Sequence, residues 1–257
     1  MNPTLNTFTP APDLLAGRII AITGATEGIG RALAKGFAAH GATVIALARN
    51  LERLESLFDE IVSAGHPEPT LQPTDLEGFR ADHAQQLAHA IGNQFGRLDG
   101  LLHNASLLGP RLPLSHYDPA AFSQVMTVNL ESAFLLTQAF LPVLEEGTDP
   151  LVLFTSSGVG RKPRAYWGAY AISKAGTEAV MQLFADEGEN LSKVRFASLN
   201  PGGTRTNMRA QAFPGEDPMS LPTPEDLLPA YLWCFGAAQD FPLNGAALDA
   251  RAMLGLN

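Results

Sequence analysis

Short apolar runs alternate with longer amphipathic ones along most of this chain, and few folds accept that rhythm. "RIIAIT" (18–23) reads as a buried strand and "GIGRALAKGFAAHG" (28–41) as a helix stopped by Gly41. The alternation continues with "TVIALA" (43–48) as strand, "LERLESLFDEIVSAG" (51–65) as helix, "TLQPTD" (70–75) as a short strand and "FRADHAQQLAHAIGNQFG" (79–96) as helix. "LDGLLHNA" (98–105) follows, then one long helix over 120–146, the strand "PLVLFTSS" (150–157), a helix over 171–189 and "VRFASLNPGG" (194–203) as strand then turn. Strands of this kind, apolar on both faces and separated by helices, belong in a mostly parallel sheet covered on both sides and joined by right-handed crossovers. The expected fold class is therefore α/β and doubly wound. "LNGAALDA" (243–250) can add an edge strand.

No linker, repeat or change of composition interrupts the pattern, so 257 residues with 46% hydrophobic content read as one domain spanning 1–257. Residues 1–14 form a polar lead with no basic residue and no apolar block in its first twelve positions, which argues against an export signal. A net charge of −9 disfavours nucleic acid and anionic membrane surfaces as partners. The single cysteine, Cys234, excludes an intrachain disulfide and suits a reducing cytoplasm as the expected location. Between 204 and 222, Pro214, Pro218 and Pro222 break the rhythm over a stretch too long for an idle connection, so it is expected to form a substrate lid, with Met208, Phe213 and Met219 either as its apolar members or packed under it as ordinary core.

Function enters at the first strand-to-helix turn. In "ITGATEGIGRAL" (22–33), Gly24, Gly28 and Gly30 sit where the chain turns sharply and where a phosphate has to reach a bare helix N-terminus. The spacing differs from Gly-x-Gly-x-x-Gly but serves the same dinucleotide-binding task. At the end of the second strand, Ala48-Arg49-Asn50 offers an arginine where an acid would select NAD, which favours the 2′-phosphate of NADP(H).

With Thr23-Gly24-x-x-x-Gly28-Ile29-Gly30, His103-Asn104-Ala105-Ser106, Asn129, Ser157, Tyr170-x-x-x-Lys174 and Pro201-Gly202, the chain resembles the short-chain dehydrogenase/reductase family over roughly residues 15–250. "NPGGTRTNMRAQAFPGEDP" is similar to an uncharacterised bacterial branch of it. The resemblance implies a Rossmann-like fold and a catalytic set of Asn129, Ser157, Tyr170 and Lys174. The serine position about a dozen residues before the tyrosine selects Ser157 over Ser156. It implies cofactor contacts from Gly24, Thr26, Glu27, Gly28, Ile29, Gly30, Arg49, Asp75, Leu76, Asn104, Ala105, Ser106, Tyr170, Lys174, Pro201, Gly202, Thr204 and Thr206. It also implies a homodimer or homotetramer built on the helices around 120–146 and 171–189. Three positions depart from the family pattern: His103…Ser106 replaces Asn-Asn-Ala-Gly, Glu27 stands where a basic residue is common, and Thr204 replaces Val or Ile.

A phenol titrates near 10 and surrenders its proton poorly at neutral pH, unless a nearby cation favours phenolate. Lys174, one helical turn from Tyr170, is placed to supply that cation, and Ser157 to hydrogen-bond the substrate oxygen. The resemblance adds a contact of Lys174 to the nicotinamide ribose and a water held by Asn129 that relays protons to Lys174. The expected activity is hydride transfer between NADP(H) and a small carbonyl or secondary alcohol. A non-catalytic dinucleotide sensor or scaffold, and a dehydratase or epimerase, are the alternatives. No histidine cluster suggests a metal. His103 reads as packing or polar satisfaction, Tyr166 as pocket wall or packing, and Asp75 as either an adenine contact or a helix cap. The basic loop "RKPR" (161–164) reads as solvated, with attraction of an anionic substrate or acyl carrier as its alternative.

Overall fold

The strands are short, the inner ones apolar runs and the edge β3 and β7 partly exposed: β1 (Ile19–Thr23), β2 (Thr43–Ala48), β3 (Thr70–Pro73), β4 (Gly100–His103), β5 (Leu151–Thr155), β6 (Arg195–Asn200) and β7 (Ala246–Asp249). In this computed structural model, which describes residues 2–5, 7–238 and 240–256, they pair in parallel as one sheet in the order β3-β2-β1-β4-β5-β6-β7. Positions 1 and 6 of the expected lead lie outside the described residues. β7 takes the edge as its sequence suggests.

The helices are α1 (Gly28–Ala39), α2 (Leu51–Ser63), α3 (Ala81–Phe95), α4 (Pro119–Met126), α5 (Ser132–Glu145), α6 (Gly158–Arg161), α7 (Gly168–Glu187), α8 (Asn207–Ala212), α9 (Leu228–Gly236) and α10 (Ala250–Leu254). Successive strand residues point to opposite faces, so Ile20 and Ile22 pack with Phe37, Tyr231 and Phe235 on one side. Ala21, Ile45 and Phe154 pack with Leu136, Phe140 and Met181 on the other. Pro119–Glu145 is long and apolar enough to cross a bilayer by length and composition, yet Leu136, Phe140 and Leu144 are fully buried against the sheet.

Four details correct or extend the sequence reading. The long helix over 120–146 is interrupted by a π turn at Thr127–Glu131, whose extra residue re-aims Asn129. The helix expected from 171 begins at Gly168, so Tyr170 lies inside its first turn. The irregular segment 204–222 holds α8, whose first turn is capped by Thr206 accepting from the Arg209 amide at 3.2 Å. The polar lead is tied to the body of the fold: the Leu5 amide donates to the Met253 carbonyl at 2.7 Å, and Leu5 is buried.

Candidate active site

The glycine loop leaves the N-terminus of α1 open. Glu27 occupies the cap position in an extended conformation without a side-chain capping bond, and Gly24 and Gly28 adopt φ of 67° and 52°. A Cβ on Gly30 would meet the Gly24 carbonyl oxygen at 2.1 Å and Asn104 Nδ2 at 2.6 Å. Those contacts belong to a junction between the exits of β1 and β4. Thr23 Oγ1 accepts from the amides of Asn104 and Ala105 at 3.0 Å each, and Asn104 Nδ2 donates to the Thr23 carbonyl at 3.2 Å. The backbone is thereby held close to a cradle of free amides that suits the phosphates of a dinucleotide.

That cradle opens into a cleft of about 350 Å³ over the C-terminal ends of the strands. Here the order reverses between β1 and β4, the usual binding crevice of a doubly wound sheet. Of the expected cofactor contacts, Gly24, Thr26, Glu27, Gly28, Ile29, Arg49, Asp75, Leu76, Asn104, Ala105, Ser106, Tyr170, Lys174, Pro201, Gly202, Thr204 and Thr206 all line it. Gly30 lies behind the wall as a packing glycine. Asp75 accepts from the Glu77 amide at 3.0 Å, and α3 begins after Arg80, so Asp75 caps a turn and not that helix.

At one end of the cleft two ion pairs face each other. Arg49 donates to Glu77 at 2.7 Å, and Arg53 to Glu27 at 2.9 Å. Arg53 also lines the cleft and escaped the sequence reading, because nothing in "NLERLE" marks the first turn of α2 as part of a site. The acidic Glu27 is compensated locally, whereas Arg49 has a carboxylate competitor that the sequence did not reveal.

The other end brings together Ser157, Tyr170 and Lys174. Lys174 is buried, its Nζ donates to the Thr155 carbonyl at 2.8 Å, and burial lowers its pKa to about 8 against the opposing pull of Glu178. Burial raises the Tyr170 phenol above its ordinary value, and the neighbouring Ser157 hydroxyl offsets part of that rise. This corrects the expectation that Lys174 already depresses the phenol. The ammonium lies 5.8 Å from the ring centroid and is engaged with backbone, and the phenol remains protonated. Asn129 lies off the cleft. Its amide is committed, with Oδ1 accepting from the Leu107 amide at 2.7 Å and Nδ2 donating to the Leu107 carbonyl at 2.9 Å and to Ser173 at 3.0 Å. A second cavity of about 10 Å³, roughly the space of one water, touches Asn129, Lys174, His103 and Thr155. His103 itself packs on Phe154, bonds Thr137 at 2.8 Å through Nε2, and is held at a pKa of about 3 by burial and by Lys174.

The mouth is built differently from the expected lid. Met208 lines the cleft beside Leu107, Leu108 and Trp167, and Phe213 packs at a tilt against Trp167 with ring centroids 5.8 Å apart. The Arg111 guanidinium sits 4.5 Å and 4.9 Å from the Trp167 and Phe213 rings. Met219 is 73% exposed and takes no part. Tyr166, 57% exposed with φ of 70°, is neither pocket wall nor packing; Trp167 fills that place. Arg161 of the basic loop turns away from the cleft to bond Glu178, so it is not available to a substrate anion. Among the described residues no group of three His, Cys, Asp or Glu side chains is arranged to hold a metal.

Residues 18–217 match the short chain dehydrogenase family. The chain belongs to that family. It is 48% identical over 229 residues to the oxidoreductase YciK of Escherichia coli (strain K12), covering 89% of this chain and 90% of that one. A short chain dehydrogenase structure from Pseudomonas syringae superposes with a TM-score of 0.91 at 49% identity, covering 95% and 98% of the two chains. One from Shigella flexneri 2a, complexed with NADP, gives 0.90 at 46% identity, with 94% of this chain and all of that one covered. A third, from Escherichia coli CFT073 and complexed with NADPH, gives 0.91 at 47% with the same coverage.

Proposed function

We propose that this short-chain dehydrogenase uses NADP(H) to reduce a carbonyl, or to oxidise the corresponding alcohol, with Tyr170 as the proton donor or acceptor. The observation that carries the reading is the convergence of the Ser157 hydroxyl and the Tyr170 phenol on one end of the cleft, with Lys174 one turn below. The cradle fits the cofactor because a Cβ at Gly24 or Gly30 would collide with the β4 exit, leaving only amides and small side chains at the wall. Arg49 and Arg53 would hold the 2′-phosphate, and Lys174 the nicotinamide ribose. When bound, NADPH supplies a hydride from its nicotinamide.

Ser157 and Tyr170 then hydrogen-bond the substrate oxygen as negative charge grows on it, and the phenol gives up its proton. Moving the Lys174 ammonium from the Thr155 carbonyl toward the phenol and ribose would supply the stabilisation that burial otherwise withholds. With the Asn129 amide engaged, a proton relay to Lys174 would run through a water in the small adjoining cavity that touches both residues. Leu107, Leu108, Trp167 and Met208 present an apolar wall to the rest of the substrate. Phe134 on α5, with Ile172 and Leu183 on α7, is exposed by 39%, 39% and 58%, which supports an oligomer through these helices.

The test is NADPH oxidation followed by absorbance over a panel of ketones, aldehydes and quinones, alongside light scattering for the oligomer. Carbonyl-dependent loss of NADPH is the expected result. Tight NADPH binding with no turnover across the panel would favour the sensor reading instead.

A further inference from the structure

Beneath the proposed catalytic residues lies a second polar cluster that the reaction does not use directly. Gly160 of α6 packs so tightly on α7 that a Cβ there would meet Lys174 backbone and Cβ atoms at 2.8–3.0 Å. This contact brings Arg161 onto Glu178, one helical turn beyond Lys174, at 2.9 Å. The Glu178 carboxylate, 17% exposed, also accepts from the hydroxyl of Ser156 and from Ser198 Oγ at 2.7 Å. Arg161 completes the ring with bonds to Ser198 Oγ at 3.2 Å and to the Leu248 carbonyl at 2.9 Å.

We propose that Glu178 is a positioning residue for this site: its carboxylate ties the β5 exit at Ser156 to α7, fixing the neighbouring Ser157 against Tyr170, and places a negative charge one helical turn from Lys174. The proposal rests on the reading of Tyr170 and Lys174 above. A structural clasp alone would need only hydrogen-bond acceptors at this place. The carboxylate, although ion-paired with Arg161, brings a negative charge one turn from Lys174, and that charge favours the ammonium form of Lys174 against its burial. The titratable and charged groups facing Lys174 are Tyr170 on α7, His103 on β4 and Glu178; Arg161 reaches it only through Glu178, while Asn129 and Thr155 are neutral. His103 is neutral above a pH of about 3, so Glu178 is the one full charge of this set that opposes desolvation at neutral pH.

The decisive measurement is an NMR titration of Cε-labelled lysines in the cofactor-free protein, which needs no substrate. Lys174 should titrate at a lower pH in Glu178→Gln than in wild type, and be unmoved in the surface control Glu187→Gln. Ser156→Ala should leave the titration in place but lower kcat, since it loosens the strand exit and keeps the charge. For reduction, the ratio of kcat/KM at pH 8 to that at pH 6 should fall by up to roughly tenfold in Glu178→Gln. Should Glu178→Gln fail to fold, Arg161→Met gives the opposite sign, because a carboxylate released from its guanidinium raises the Lys174 titration. An unchanged Lys174 titration in whichever variant folds overturns the proposal. Absence of turnover in wild type, with the titration shifted as described, would instead count against the catalytic reading and leave the charge coupling standing.

Discussion

Lys174 donates its ammonium to the backbone carbonyl of Thr155 at 2.8 Å. The bond ties the middle of α7 to the end of β5, and with it places Tyr170, one turn earlier, beside Ser157. Because a buried ammonium needs such a partner, the tie also explains how a lysine survives at 3% exposure.

Tyr170→Phe should abolish carbonyl reduction while leaving the NADPH dissociation constant nearly unchanged, since it removes a proton donor and almost no volume. Lys174→Ala should damage both, because it strips a cation from the phenol and the ribose together. Steady-state kinetics with fluorescence titration of NADPH distinguish the two; a Tyr170→Phe enzyme keeping most of its kcat refutes the assignment.

The pH profile for reduction should lose activity as pH rises through about 8, where the Lys174 ammonium of the free enzyme deprotonates. Its burial depresses a cation, so the direction is loss on the alkaline side. The profile of kcat/KM against pH reads this group directly, and a rate flat from pH 7 to 10 contradicts it.

His103 predicts the acid side of stability. Its folded pKa, about 3, lies below the ordinary value of 6.5, so between these pH values the unfolded chain binds a proton that the folded chain refuses. Stability is whole above pH 6.5 and drains away as pH falls toward 3. Replacing His103 with Asn should flatten that acid limb, measured as the difference in Tm between pH 7 and pH 4.5 in variant and wild type.

Cofactor choice should follow Arg49 and Arg53. A charge-assisted contact to the 2′-phosphate is worth roughly 1.5–3 kcal/mol, about tenfold to a hundredfold in kcat/KM for NADPH over NADH. Arg49→Ala should cost NADPH about that factor and spare NADH, and adding Ala48→Asp should reverse the preference. Glu77→Gln should strengthen NADPH selectivity, because it frees Arg49 from its competing carboxylate. Equal loss of both cofactors in Arg49→Ala removes that arginine from the phosphate site.

Gly30→Ala tests the cradle. The added methyl would overlap the Gly24 carbonyl at 2.1 Å, a backbone atom with nowhere to go, so the loop must open and both NADPH binding and Tm should fall. A variant that binds NADPH as wild type does would show that the close junction of the β1 and β4 exits is dispensable.

The sequence alone determined the layered α/β architecture, the glycine turn after β1 and the i, i+4 relation of Tyr170 to Lys174, because each depends on local periodicity or on spacing along one segment, whereas Ser157 was singled out only by resemblance to the family. Apolar runs with intervening amphipathic helices leave a buried parallel sheet as the favoured arrangement, and an i, i+4 pair shares a helix face wherever the helix packs. Tertiary structure decided what depends on neighbours distant in the chain. Whether Arg49 is free or paired turned on Glu77, 28 positions away, and Arg161 was drawn from the mouth by Glu178, 17 positions on. The Tyr170 phenol shows the physical reason most plainly. Its spacing from Lys174 is written in the sequence, but its proton affinity is set by burial and by where the ammonium finds its partner, and both emerge only when β5, α6 and α7 pack together.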